Sequence, residues 1–368
     1  MTTGSVNALQ AKSIIIADGG YEGVWNGSAI GLGVDLAMRT GLAIRDLEFV
    51  SWTPLAIDGT NVVLPIGMLA DGATLHHANG DPLDVDDFAD AAAIANAMGN
   101  ESIVLDARNM GSSSVWWAQT AELLSTRLGI NMSKQTIPVT AQVSTTLGGI
   151  TTDEHGRAIS GKWSRWFTGL YAAGEAASSG VHGAGMVAGN RLLDALAGGA
   201  AAGEHAAKHA SDASYTGRSK LETFLGVAEA DLDFEMAGAE EGPVQRSGAL
   251  FAKLSEIMNS KSGTSRDESG LSQAMQELEG LSIDAEKLHL DDSSRLFNTN
   301  LLDSLRLKAG VRLAKATIQS AISRTESRGT HKRSDFEESD SEQIHHLSLI
   351  HISEPTRQEA IAGAGLGV

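Results

Sequence analysis

Three short stretches carry residue types that could meet a ligand. Ser13-Ile14-Ile15-Ile16-Ala17 runs straight into Asp18-Gly19-Gly20. A continuous apolar run of this kind reads as a strand covered on both faces, as in a parallel sheet. Gly19 and Gly20 then turn the chain at the strand's carboxyl end, where open α/β sheets place their ligands. Leu170 to Ala173 read as another strand, followed by Gly174 and Glu175, whose carboxylate meets a ligand at the sheet edge or else faces solvent. Gly189-Asn190-Arg191-Leu192 opens a helix whose apolar positions include Leu192, Leu193 and Leu196. A helix N-terminus carries unpaired amides and partial positive charge, which suits an anionic ligand edge. An ordinary Asn-capped helix is the alternative for the same residues.

Other reactive groups are sparse. His205 and His209 lie four apart on a helix beside Glu204, a spacing that can hold a divalent ion but equally fits a solvent-facing polar stripe. His76-His77 has no partner at metal-ligand spacing, and no metal site is expected. No Gly-x-Ser-x-Gly turn supports a serine nucleophile. With no cysteine in the chain, disulfides, iron–sulfur ligation and thiolate zinc sites are excluded within it.

The elements that must position these groups follow from length and patterning. A chain of 368 residues suffices for two or three domains with a sizeable core. A formal net charge of −18 argues against nucleic acid, whose phosphates require clustered Lys and Arg. No run of eighteen apolar residues exists to span a membrane, and Met1 to Gln10 lack the basic start and apolar stretch of a signal peptide. An intracellular, cytoplasmic protein or subunit is therefore expected. The 41 glycines, without a fixed period or internal repeat, fit an α/β protein with many tight turns.

Residues 34–42 read as a short helix stopped by Gly41, and Asp46 to Trp52 as a second strand. From Pro54 to about Val143 the texture changes. It is loop-rich to Pro82, then an alanine-rich helix runs from Asp86 to Met98 with Asp86 or Asp87 as cap, then Ile103 to Leu105 form a strand. Near Gly148-Gly149 the glycine-rich α/β texture returns, so the middle segment reads as an insertion. Beyond about Ser214 the chain is helical, with core stripes at Leu271, Met275, Leu278 and Leu281 and at Leu302, Leu305, Ala309, Leu313 and Ala316. Leu347 to Ala360 looks like the translation of a sequencing adapter and is expected to be foreign to the fold. Ile361 to Val368 resembles the opening of a dinucleotide-binding turn, but no helix follows to seat a pyrophosphate.

Four stretches in order resemble the flavoprotein subunit of succinate dehydrogenase and fumarate reductase, with L-aspartate oxidase as a relative. They are Ile16-Ala17-Asp18-Gly19-Gly20; Gly148 to Asp153 running on to Gly169 to Glu175; Gly180 to Ala184 with Gly189 to Asp194; and Glu326 to His331, preceded by Phe297 to Leu301. The resemblance implies an α/β fold: a partial, Rossmann-like FAD-binding domain (1–50 and 144–212), an inserted α+β capping domain (51–143) and a C-terminal helical domain (213–346), followed by the foreign tail (347–368). It implies FAD as cofactor, with Gly19, Gly20, Glu175, Asn190, Arg191 and Leu192 at its site. It implies hydride transfer between a small-molecule substrate and the flavin. It also implies an iron–sulfur partner subunit in a membrane-associated complex, which places the chain peripherally at the inner face of the membrane. The family's opening strand, Gly-x-Gly-x-x-Gly turn and helix would precede Met1. Residues 1–346 are therefore expected to be the later part of a longer flavoprotein, binding FAD only when that unit is present.

The substrate side departs from the family. His-Pro-Thr appears as Thr53-Pro54-Leu55, and Thr-Glu-Gly-x-Arg-Gly-Glu-Gly as Pro65 to Gly72, with Leu69 and Ala70 within it. The Arg-Asp pair appears as Ala89-Asp90, His-Tyr-Thr as Ser144-Thr145-Thr146, and the Arg of Asn-Arg-Leu as Met186. On the cofactor side Gly-Asp-Gly appears as Gly31-Leu32-Gly33, and Asn-Ser-Leu as Asn190-Arg191-Leu192. Two carboxylates need cationic or bidentate partners, so no catalytic residue can be assigned. Two readings remain: an FAD-dependent oxidoreductase subunit, or a paralogue that keeps the fold without dicarboxylate chemistry, as an assembly partner or with another substrate.

Overall fold

A computed structural model describes residues 4–60, 62–85, 87–88, 90–99, 101–160, 165–187, 189–215, 218–237 and 245–349. In chain order come β1 (Ile14–Ile16), α1 (Leu32–Arg39), β2 (Ile44–Arg45), β3 (Val50–Ile57), α2 (Gly67–Ala70), β4 (Thr74–His76), α3 (Ala91–Met98) and β5 (Ile103–Asp106). They are followed by α4 (Ala118–Leu123), β6 (Ile137–Thr146), β7 (Gly149–Thr151), β8 (Arg157–Ser160), β9 (Arg165–Ala172) and β10 (Ala177–Ser178). Helices α5 (Asn190–Asp212), α6 (Arg218–Ala237), α7 (Ser247–Lys261), α8 (Glu268–Glu286) and α9 (Thr299–Ser323) lead to β11 (Ser348–Leu349).

The architecture is mixed α/β with a helical C-terminal region. β1 pairs parallel to β9, Ile14 facing Leu170 and Ile16 facing Ala172, with β8 antiparallel on the far side of β9. Because the pairing is parallel, the carboxyl ends of β1 and β9 lie together. Asp18-Gly19-Gly20 and Gly174-Glu175 therefore emerge at one end of the sheet. A second sheet runs β10-β7-β2-β11, and a third runs β3-β6-β5-β4. The third encloses its own apolar core of Leu55, Ile57, Leu75, Ile94, Leu105, Ile137 and Val139. The main core is continuous from Tyr21, Trp25 and Val34 through Ile44 and Ile150 to Leu254, Leu278 and Leu313 of the helices.

Several elements differ from the sequence expectation, each for a local reason. β1 is not covered on both faces: it is an edge strand with Ile14 and Ile15 55% and 41% exposed. α1 starts at Leu32 rather than residue 34, because Asp18 Oδ2 accepts the Gly33 amide at 2.7 Å and so organises the first turn. A Cβ on Gly33 would overlap that carboxylate and Ile16. The strand expected at Asp46 begins at Val50, because Asp46 is left-handed (φ 61°) and turns the chain first. The alanine-rich helix begins at Ala91 and Asp87 is not its cap; Asp86 lies outside the described residues. Asp90 is the cap, accepting the amides of Ala92 at 2.8 Å and Ala93 at 3.3 Å. On α9 the buried face is centred on Leu307, Val311, Ala314 and Ile318, and Leu302 and Leu305 of the expected stripe are exposed. The first residues of the expected tail join the second sheet: Ser348 and Leu349 pair with Arg45 and Ile44. Residues 350–368 lie outside the described residues.

The Glu326–His331 stretch forms a buried ionic cluster against the turn before β3. Arg324 Nε donates to Glu48 Oε1 at 2.7 Å and Arg324 Nη1 to Glu326 Oε1 at 3.0 Å. Arg328 closes on Glu326 with two bonds of 2.8 Å. Arg266 Nη1 lies 2.8 Å from the Glu48 carbonyl and 2.9 Å from His331 Nδ1. His331 Nε2 faces the Arg324 carbonyl at 3.3 Å, which assigns the proton to Nε2 and leaves Nδ1 to accept from Arg266. Burial pushes Glu48 up to about 7 against the pull of Arg324. Burial and the Arg266 charge hold His331 down at about 2.

Two measurements check this packing. Gly329 is left-handed (φ 55°), and a Cβ there would overlap the Ala184 carbonyl. Gly329→Ala is therefore expected to lower unfolding free energy by about 2–4 kcal/mol in urea titration. The second is the pH dependence of stability. The folded state holds the Glu48 proton up to about 7, whereas the unfolded chain releases it near 4.5, so this contribution is complete below 4.5 and lost as pH rises to 7. His331 acts oppositely: the unfolded chain takes up a proton below 6.5 and the folded state does not, so its contribution is present above 6.5 and lost on acidification. Between 4.5 and 6.5 the two slopes, about 1.4 kcal/mol per pH unit each, nearly cancel. In Glu48→Gln only the His331 slope remains, so stability falls more steeply than in the parent from pH 6.5 to 4.5. Parallel curves for the two proteins would reject a protonated buried Glu48.

Candidate functional site

The carboxyl ends of β1 and β9 build one cluster. After β9, Gly174 (φ 62°) turns the chain and sets Glu175 in a short 3-10 turn over the end of the sheet. Glu175 Oε1 accepts the Thr145 hydroxyl from the end of β6. Its Oε2 accepts two bonds from Arg191, Nε at 2.9 Å and Nη2 beside it. The remaining arm, Nη1, donates to the Ser144 carbonyl at 3.2 Å. From β1, Gly20 packs so tightly that a Cβ would overlap Thr146 Oγ1, lie 3.0 Å from Glu22 Oε2 and lie 3.6 Å from Glu175 Cβ. Thr146 Oγ1 in turn accepts the Tyr21 amide at 3.3 Å.

The electrostatics are those of a carboxylate pair with one guanidinium. Burial raises Glu175 above the ordinary carboxylate range, Arg191 opposes that rise, and the Glu22 charge adds to it. Glu22 is itself buried, and its Oε2 has no hydrogen-bond partner. An orphaned buried acceptor of this kind is costly unless a ligand or water donates to it. The chemistry on offer is thus acceptance of hydrogen bonds from hydroxyl groups, next to the N-terminus of a 23-residue helix.

Among the residues singled out from sequence, the structure brings Gly20, Glu175 and Arg191 together, with Gly19 (φ 95°) in the same turn. Asn190 does not cap α5. Gly189 is the N-cap, left-handed and without a side-chain cap bond, and Asn190 is the first helical residue. Leu192, Leu193 and Leu196 are exposed, and the buried residues of α5 are Ala202 and Ala206, packed on Tyr171 and Ala173. The rings of His205 and His209 pack against other side chains and do not form an open polar stripe. His205 stacks on His155 at 3.8 Å and His209 meets the edge of Trp166 at 5.0 Å. No group of three metal-capable side chains occurs among the described residues. His182 sits 3.4 Å from Asp194.

Sequence reasoning missed Glu22, Thr145 and Thr146 as members of the cluster. The only signal for Glu22 is its place two residues after the glycine pair, and the threonines lie on a strand distant in sequence. On the capping side, Thr53 of β3 pairs with Gln142 of β6 and Leu69 packs on the capping core, while Met186, in the loop before α5, is half-buried. Ala89 lies outside the described residues. Among the described residues no helix is long and apolar enough to cross a membrane.

Comparison with known proteins gives a consistent pattern. Residues 1–192 match the FAD binding domain family, and residues 251–362 match the fumarate reductase flavoprotein C-terminal family. The fumarate reductase flavoprotein subunit of Haemophilus influenzae is 28% identical over 92% of this chain and 61% of its own length. The succinate dehydrogenase flavoprotein subunit of Coxiella burnetii is 28% identical over 92% of this chain and 62% of its own. The chain thus spans about three-fifths of these curated relatives. Among solved structures, a chain of Escherichia coli quinol fumarate reductase superposes with a TM-score of 0.81 at 24% identity, covering 91% of this chain and 63% of that one. A second quinol–fumarate reductase, with menaquinol, gives 0.84 at 23% identity over 95% and 66%. At these identities the structural matches establish the fold.

Proposed function

We propose, for a chain that belongs to the succinate dehydrogenase/fumarate reductase flavoprotein family, that it is the part of an oxidoreductase subunit whose Glu175 cluster holds FAD for hydride transfer with a small-molecule substrate. FAD is the cofactor of the matched domain. The observation that carries the assignment of the site is the cluster at the carboxyl ends of β1 and β9: Gly20, Glu22, Glu175 and the start of α5. Its donor set fits the cofactor. The unpartnered Glu22 Oε2 and the Glu175 carboxylate are acceptors for hydroxyl groups, and the first-turn amides of α5 favour negative charge. Bound FAD supplies a two-electron centre that gives or takes hydride. The chain's own part is positional. Gly19 and Gly20 let the backbone approach closely, Glu175 and Glu22 orient hydroxyls, and the capping unit built on β3-β6-β5-β4 stands beside the site through Ser144 and Thr145. An iron–sulfur subunit is the expected partner for the electrons, and a peripheral place on the inner face of a membrane follows from that partnership.

A second reading is favoured by a specific set of side chains. Thr53, Leu69, Ser144 and Met186 are all neutral where the family's pattern carries charged substrate ligands. Each buried carboxylate left without a partner costs about 1–3 kcal/mol or more. The protein would then keep the flavoprotein fold while acting on a neutral substrate or serving in assembly.

Two experiments test these readings. The purified protein carrying the family's opening strand–turn–helix unit is expected to show bound flavin absorbance, and Glu175→Ala in it to weaken FAD about tenfold or more, the loss of one charged acceptor. Colourless protein that also fails to quench added FAD would reject the cofactor site. Succinate oxidation and fumarate reduction are expected to be absent from the flavin-loaded protein, and turnover of either would reject the second reading.

A further inference from the structure

Both oxygens of the Glu175 carboxylate already accept hydrogen bonds from the chain itself. Oε1 takes the Thr145 hydroxyl, while Oε2 takes Nε and Nη2 of Arg191. The Nη1 bond to the Ser144 carbonyl completes a strap from the start of α5 across the Glu175 turn to β6. The two ends of the pair differ in freedom. The Glu175 side chain is 12% exposed and fixed by its turn, whereas the Arg191 side chain is 52% exposed and reaches water by rotating about its own stem. A fork of two charge-assisted bonds is stronger than the single bonds that ligand hydroxyls make to the same oxygens. An internal guanidinium therefore competes with any hydroxyl-bearing ligand for this carboxylate. Nearby, Glu22 Oε2 remains buried without a donor, outside the reach of the strap's own bonds.

We propose that the Arg191–Glu175 ion pair is a latch on the cofactor site, which gives up the Glu175 carboxylate to FAD hydroxyls when Arg191 turns outward. This rests on Glu175 being a cofactor contact and goes beyond it by naming the residue that controls access. The arithmetic is that of a closed and an open state. Apparent affinity falls by the fraction of molecules that are open, so a pair closed in about nine molecules of ten weakens FAD about tenfold. A serine is too short to bridge to Glu175 and has no fork, so Arg191→Ser holds the site open. Arg191→Lys keeps the charge and loses the bidentate geometry.

The test is titration of FAD into the parent, R191S and R191K, each carrying the family's opening strand–turn–helix unit, followed by quenching of flavin fluorescence, with thermal melting of the flavin-free proteins in parallel. The dissociation constant for R191S is expected to be about tenfold lower than the parent's, with R191K between them. Flavin-free R191S is expected to melt a few degrees lower, reporting the lost ion pair. Unchanged FAD affinity in R191S would make the pair merely structural, and weaker affinity would make Arg191 itself a cofactor ligand. Either result overturns the latch and leaves the Glu175 contact standing on its own variant. If the parent, R191S and R191K all fail to bind FAD, the cofactor reading fails and the latch with it.

Discussion

Glu48 is a fully buried carboxyl group, and the partners it does find tie the α/β part of the molecule to its helices. Its Oε1 bonds Arg324 at the end of α9, and its backbone carbonyl bonds Arg266 from the loop before α8. Arg324 carries the contact on to Glu326, and Arg266 carries it to His331. Removing one partner from such a cluster leaves an uncompensated buried charge, which costs about 3–5 kcal/mol, whereas replacing the whole cluster with apolar groups can be neutral. The cluster therefore contributes register more than net stability. It fixes where the segment after α9 meets the turn before β3, and the shared apolar core from Tyr21 to Leu313 forms around that arrangement. The left-handed Asp46 is part of the same constraint, since it brings Glu48 inward while β2 and β3 join different sheets.

The candidate site obeys a second constraint, set by topology. Parallel pairing of β1 with β9 puts two turns at one sheet end, although Gly20 and Gly174 lie 154 positions apart in sequence. Only glycine at position 20 lets the first turn lie against Thr146 and Glu22, so the site is built around a missing side chain. The third contributor, β6, reaches in from the capping sheet, which is why Thr145 and Ser144 touch Glu175 and Arg191. Two carboxylates and one half-exposed guanidinium make an environment poised between internal pairing and ligand binding. On the capping side Leu69 packs against the apolar sheet core, and Thr53 of β3 pairs with Gln142 of β6.

Much of this was written in the local pattern. Mixed α/β texture, the helical C-terminal region, the turn at Gly19-Gly20 and the strand before Gly174-Glu175 are readable from residue type and spacing, whereas the Glu326 to His331 stretch stands out only by resemblance to a family. Glycine, a short apolar run and a 3.6-residue period act over a few residues, and those residues are contiguous. Boundaries were less legible where a side chain from elsewhere set them. Asp18 starts α1 from fifteen residues away, Asp90 outcompetes Asp87 as a cap, and Asp46 delays a strand by adopting a left-handed turn.

Residue type alone set the inventory: no thiolate in the chain, a formal net charge of −18, and carboxylates placed beside glycine turns. Tertiary structure alone decided which of those groups act together. Arg191 could have faced solvent or a ligand, and it faces Glu175. His205 and His209 could have formed a site, and they stack on His155 and Trp166. Glu22 carries no periodic or motif signal and becomes a member of the site through burial beside Gly20. The reason is physical. Propensity and patterning are sums over neighbours in the chain, whereas burial, orphaned polar atoms and ion pairs depend on distances between residues that the chain itself leaves far apart.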